Sequence, residues 1–167
     1  MAHVYLLSTF CEYTFSQVAL ADGVPVGVML GKNNKQHKKP LKQTIRYYWA
    51  VAKMLMRKES RGVLNLFAEI DRENEELLES LERSFDAELV LFAVSRDQHG
   101  QGIGNALYQA FLDQLKQEQL DTFYLYTDTT CTYTFYDRQN LHRLAEKTMT
   151  LPLFDEQLTL YIYSNTP

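Results

Sequence analysis

The apolar and polar positions divide the chain into short strands and longer helices. Val18 to Ala21 and Val24 to Leu30 are apolar-rich runs on either side of Asp22-Gly23, the dipeptide of a tight β-hairpin turn. Pro25 places the start of the second arm where no N–H is needed. Gly31 is expected to close that arm, with Lys32 to Lys42 a polar, basic loop. From Pro40 onward Ile45, Tyr48, Trp49, Ala52, Leu55 and Met56 share one helical face, while Tyr47, Val51 and Met54 make the opposite side apolar too. A core helix, a lid over a site and a homodimer contact all remain open for it. Gly62 reads as a break, after which Val63, Leu66, Phe67 and Ile70 mark a second helix and Leu77, Leu78, Leu81 and Phe85 a third.

Leu89 to Val94 is an almost unbroken apolar strand. Ile103, Ala106, Leu107, Ala110, Phe111 and Leu115 then follow the spacing of a helix ending near Gln119. Phe123 to Thr127 is the next strand, and Asp128 or Thr129 is placed to cap a short helix containing Phe135 and Tyr136. Two strands joined by a helix are expected to lie parallel. His142 to Thr148 and Gln157 to Tyr163 read as two strands around Pro152, while Val4 to Leu7 fits a short strand or a helix end.

Between the apolar strand and its helix lies His99-Gly100-Gln101-Gly102-Ile103-Gly104-Asn105. Glycine permits a tight backbone path and a close ligand approach, and the first N–H groups of a helix have no partner within it. That combination favours an anion, most often a phosphate.

The chain of 167 residues is long enough for one domain with a full core, spanning 1–167, with a helical insertion at about 40–86. A net charge of −4 gives no pull toward nucleic acid, and the lysines at 32, 35, 38, 39 and 42 lack the interleaved aromatics of a nucleic-acid platform. Cys11 and Cys131 lie 120 positions apart without metal-type spacing, so free thiols, no metal and a cytoplasmic address are expected. No secretory leader pattern opens the chain, and the richest apolar run, Tyr47 to Met56, is interrupted by Lys53; no membrane association is expected. From Glu69 to Glu88 nine acids face two bases, Arg72 and Arg83. A solvated helix face accounts for such a run, and a cationic substrate or partner is the alternative.

Ala87 to Val94, His99 to Gly104, and Phe135-Tyr136-Asp137-Arg138-Gln139-Asn140-Leu141 together resemble the GNAT superfamily of acyl-CoA N-acyltransferases, in order and in spacing. The resemblance implies an α+β sandwich: a mixed, largely antiparallel sheet with a parallel, splayed central strand pair, flanked by helices. His99 stands where the family carries Arg or Gln, and Asn140-Leu141 replaces its Gly-Phe pair. Asn is the residue next best to Gly at a left-handed position. The family usually begins with a strand and two helices, whereas 17 residues precede Val18, so the helices of 40–86 are expected to take over part of the acceptor side.

The resemblance implies acetyl-CoA as cosubstrate, its pyrophosphate held by the amides of residues 101–105 within the loop His99, Gly100, Gln101, Gly102, Ile103, Gly104 and Asn105. It further implies pantetheine held by main-chain groups near Val94 and Ser95, with Thr129 as a further cofactor contact. Tyr136 matches the family's general acid, and a phenol near pKa 10 can share a proton with a thiol near 8.5. Glu88, at the head of the strand, stands where some members carry a general base. The function implied is an N-acetyltransferase acting on a primary amine of a small molecule or peptide, in a ternary complex. The alternative is a non-catalytic GNAT-fold module that binds an acyl-CoA or a partner protein. A dinucleotide-binding unit fits poorly, because Asn105 falls at the last glycine of its fingerprint and about 60 residues follow.

Overall fold

The computed structural model describes residues 8–38, 40–55, 58–151 and 155–167. The expectations for Val4 to Leu7, Lys39, Met56 and Pro152 lie outside them. Asp22 and Gly23 have φ of 50° and 79°, the left-handed pair of a type I′ turn, and they join β1 (Phe15–Ala21) to β2 (Val24–Asn33). Pro25 pairs with Leu20 of β1, while the strand on the other side of β2, β3 (Ala87–Val94), reaches it only from Gly27 onward, so the missing N–H interrupts nothing on that side. Gly31 does not close the strand. A Cβ there would collide with the Phe15 ring, so the glycine makes room for that ring while β2 runs on to Asn33. Lys32 is therefore a strand residue rather than part of a loop.

The sheet has six strands in the order β1-β2-β3-β4-β6-β5, with β3 (Ala87–Val94), β4 (Phe123–Asp128), β5 (His142–Leu151) and β6 (Glu156–Ser164). Every pairing is antiparallel except β3 with β4, the pair joined through a helix as expected. That helix, Ile103–Gln117, covers one face: Leu107, Phe111 and Leu115 are buried against Met29, Leu89 and Phe123. Burying each such side chain contributes about 1.5–3 kcal/mol, which fixes the glycine loop at one end of the sheet.

The other face is covered by the second of two helices placed between β2 and β3, and the first packs on that helix. We number the helices in chain order: α1 (Leu41–Leu55), α2 (Lys58–Glu79), α3 (Ile103–Gln117) and α4 (Thr134–Arg138). Gly62 does not break α2. Its cost of about 1 kcal/mol relative to alanine is offset by Leu66, which is buried with Ile70 against Leu158 and Leu160 of β6. The second and third helices of the sequence reading are thus one, ending at Glu79, and Glu82 takes φ 49° in the turn beyond. The stripe of α1 that carries Ile45, Tyr48, Trp49 and Ala52 is exposed, with Tyr48 and Trp49 each about two-thirds accessible at 65% and 66%. Tyr47 and Val51, on the opposite stripe, are half-buried instead, and α1 packs on α2. With both sides of α1 apolar, the contacts of α2 decide which side is covered.

Candidate active site

Strands β3 and β4 pair at only two positions, Ala87 with Phe123 and Glu88 with Tyr124. On its other side β3 is bulged: Gly31 faces Leu89 while Leu30 faces Leu91, leaving Val90 as the extra residue. Beyond Glu88 the two strands part and a cleft of about 790 Å³ opens, walled by β3 from Leu89 to Val94, by Tyr126 and Thr127 of β4, by the glycine loop and by α4. This volume is in the range of a cofactor site.

The loop reaches the cleft through backbone geometry. Gly100 and Gly102 have φ of 79° and 80°, and Gly102 is the residue from which α3 starts. A Cβ on either would meet no atom within 4 Å. Packing therefore does not demand glycine there; the left-handed backbone does, with open space in front of it. The first bond across the helix boundary runs from Ala106 N to Gly102 O, so the N–H groups of Ile103, Gly104 and Asn105 precede the helical ladder and are oriented outward. His99, Gly100, Gly102, Ile103, Gly104 and Asn105 all line the cleft, and Gln101 lies off its wall. These outward N–H groups fit an anionic cofactor headgroup. The His99 ring pairs with the carbonyl of Val94 at 3.1 Å, closing the loop onto the strand. The Asn105 side-chain carbonyl accepts from Gln139 at 3.0 Å, tying the start of α3 to the end of α4.

Other expected contacts are placed differently. Ser95 is not on the wall: its N–H donates to Val26 at 2.8 Å and its hydroxyl to Asp97 at 3.0 Å. With Val94 O also engaged by His99, the main-chain groups facing the cleft are those along the β4-facing edge of β3 after Glu88. Thr129 turns away, its hydroxyl accepting the N–H of Thr159 at 3.2 Å. Neither Asp128 nor Thr129 caps α4, which starts from Tyr133 without a side-chain cap, while Asp128 accepts from Thr130 to close the turn after β4. Cys131 is a free cysteine on the cleft wall, its thiol pushed above its usual pKa by partial desolvation and then by Asp128.

Tyr136 is buried, on the cleft wall, and its helix is held at its C-terminal end and from the sheet. At the C-terminus Asn140 takes φ 57°, Leu141 N donates to Tyr136 O and Asn140 N to Asp137 O, which is a Schellman closure with Asn in the glycine position. From the sheet side, the Tyr163 hydroxyl donates to Asp137 at 2.7 Å and accepts from Arg143 at 2.9 and 3.0 Å. The Arg143 guanidinium also stacks 4.3 Å from the Tyr161 ring centre. The buried Tyr163 phenol is pushed to about 12, by burial first and then by Asp137, so it stays neutral while holding α4 on the sheet.

Glu88 sits at the closed end of the splay, off the cleft wall. Its carboxylate accepts from the Tyr124 hydroxyl at 3.0 Å and lies 3.4 Å from Lys32 Nζ, which also binds Glu12 at 3.0 Å. Burial opposes the charge on Lys32, but Glu88 and Glu12 outweigh it and its pKa is raised.

The sequence matches the acetyltransferase (GNAT) family model over residues 3–147. The chain belongs to the GNAT acetyltransferase family. Among curated proteins none matches it significantly. Solved structures share the fold at low identity. One is smu.2055 from Streptococcus mutans UA159: TM-score 0.56, 17% identity, 95% of this chain and 73% of that one covered. Another is the ribosomal-protein-S18-alanine N-acetyltransferase of Escherichia coli: TM-score 0.55, 14% identity, 95% and 72% covered. A Bacillus anthracis protein described as a streptothricin acetyltransferase, solved with acetyl coenzyme A, aligns at TM-score 0.52 and 11% identity over 91% of this chain and 62% of its own.

This GNAT cleft also contains residues that the sequence reading did not single out. Arg96 and Arg138 stand on its wall next to the loop, two cations near the place for an anion, and Tyr126 stands opposite β3. Arg138 was within reach, since it lies in the Tyr136 motif; Tyr126 carries no signal beyond its strand.

Proposed function

We propose that this GNAT acyltransferase moves the acetyl group of acetyl-CoA to a primary amine by direct attack, with both substrates bound. The observation that carries the reading is that one cleft holds both the outward N–H groups at the start of α3 and the Tyr136 side chain. Acetyl-CoA supplies an acetyl thioester. The N–H groups of Ile103, Gly104 and Asn105 hold its pyrophosphate at the positive end of the helix, with Arg96 and Arg138 adding charge. The open edge of β3 holds the pantetheine arm and donates to the thioester carbonyl, where negative charge develops. Tyr136 gives its hydroxyl proton to the departing sulfur. The Asp137–Tyr163–Arg143 chain keeps α4, and so that hydroxyl, in place.

The acceptor enters from the side of α2. The Tyr126 phenol feels the charges of Glu75 and Asp71 on that helix, which supports a cationic amine as acceptor. The S18-alanine acetyltransferase likeness supports including an alanyl peptide among the candidates. The test is incubation with acetyl-CoA and a panel of amines (spermidine, a lysine peptide, an alanyl peptide and benzylamine), followed by mass spectrometry of the amines and measurement of released CoA. We expect acetylated amine and CoA in equal amounts, with the cationic amines preferred and that preference weakened by added salt. Acetyl-CoA binding without any acetylated amine would instead indicate a non-catalytic module.

A further inference from the structure

The position of Glu88 raises a question about the proton that an ammonium acceptor must lose. The Glu88 carboxylate lies below the point where β3 and β4 part and is not on the cleft wall. Two hydroxyls bridge that gap. Tyr124 donates to Glu88 Oε2 at 3.0 Å. Tyr126, two residues further along the same face of β4, lies edge-on to Tyr124 with ring centres 5.3 Å apart; the two hydroxyls interact, and Tyr126 reaches the cleft wall. We propose that Tyr126 is the group that meets the acceptor nitrogen, and that the nitrogen's proton passes through the Tyr126 and Tyr124 hydroxyls to the Glu88 carboxylate. The proposal rests on the N-acetyltransferase reading above.

The transfer balances without any further reactant. The Tyr126 oxygen takes the proton from the ammonium as its own proton moves to the Tyr124 oxygen, and the Tyr124 proton moves to Glu88 Oε2. Both phenols end as they began, the amine is neutral, and Glu88 is a carboxylic acid. Neither phenol serves as the base itself. Burial holds both well above the usual tyrosine value, with the Glu88 charge adding to it, so each passes a proton on without keeping a negative charge. The final acceptor is set by its surroundings: Lys32 of β2 faces Glu88, Glu12 faces Lys32 from the other side, and Asp71 and Glu75 of α2 face Tyr126. Glu12, on the far side of Lys32, is 29% exposed.

The test compares wild type with Tyr126→Phe, Tyr124→Phe, Glu88→Gln and the Tyr126→Phe/Glu88→Gln double variant. Each is first checked for folding by circular dichroism and for acetyl-CoA affinity. Acetylation is then measured across pH with spermidine, a strongly basic amine, and with trifluoroethylamine, which is already neutral at neutral pH. With spermidine, each single change should lower kcat by roughly 10²-fold, with unchanged acetyl-CoA affinity, and should move the rise of kcat/KM to higher pH. The double variant should be no slower than the slower single variant, because the residues act as one unit. With trifluoroethylamine the losses should largely disappear. Losses that multiply in the double variant, that are equal for the two amines, or that leave the pH profile in place would overturn the relay and leave the acetyltransferase reading intact. Wild-type protein inactive toward both of these amines and toward the lysine peptide, alanyl peptide and benzylamine of the panel above overturns that reading, and the relay with it.

Discussion

A single hydroxyl carries much of the chemistry proposed here. Tyr136→Phe keeps the ring that packs against Phe135 and Tyr163, at centre distances of 5.5 and 5.7 Å, and removes only the proton donor. Acetyl-CoA affinity should therefore stay near the wild-type value while kcat falls by roughly 10²-fold or more, measured by stopped assays of CoA release. Unaltered turnover would exclude Tyr136 as the acid. The residue was legible in the chain because its motif is local: Phe135 to Leu141 forms one short helix and its closure. Tyr124 and Tyr126 were not legible. Their meaning depends on Glu88 lying directly across a parallel pairing, 36 residues away in the chain, and no local pattern encodes that register.

Among the elements, the closed end of the splay has its own fastening. Asp86, just before β3, accepts from Asp121 N at 3.0 Å, Thr122 N at 3.2 Å and the Thr122 hydroxyl at 3.3 Å, and pairs with Lys35 at 2.7 Å. Lys35 first, and then the Thr122 backbone, hold its pKa down at about 2, against an ordinary 3.8. A carboxyl with a lowered folded-state pKa stabilises the fold above its unfolded value and loses that contribution as pH falls through the folded one. Asp86→Asn should accordingly lower the melting temperature at neutral pH, and the gap between the two proteins should narrow as pH falls from about 4 to about 2. A gap independent of pH would mean that the carboxylate charge is not what joins β3 to β4. The hairpin, the β3-loop-α3 unit and the strand pair at the C-terminal end were readable from turn chemistry and periodicity. The helices between β2 and β3 were read less well. An isolated Gly62 looks like a stop until Leu66 and Ile70 are seen against the sheet, and an apolar stripe on each side of α1 gives no indication of which one α2 will cover.

At the scale of the whole molecule, the sheet is one continuous layer that opens at one place. Antiparallel pairing on both flanks holds β3 and β4, while their own parallel contact ends after two residue pairs. The opening lies at the start of α3, so helix, loop and cleft converge there by topology. The family resemblance was carried by this half of the chain, whereas α1 and α2, the helices between β2 and β3, carry none of its motifs. The central claim, that acetyl-CoA is held by the amides at the start of α3, is tested most directly by calorimetric titration of acetyl-CoA into wild type and Gly102→Val. Gly102 has φ 80° and no atom within 4 Å of a would-be Cβ, so valine there strains the loop and fills the space in front of the amides without disturbing the core. Wild type should bind, and the folded variant should bind at least about tenfold more weakly, a difference of about 1.4 kcal/mol. Equal affinity in a folded Gly102→Val protein would place the cofactor elsewhere and contradict the account.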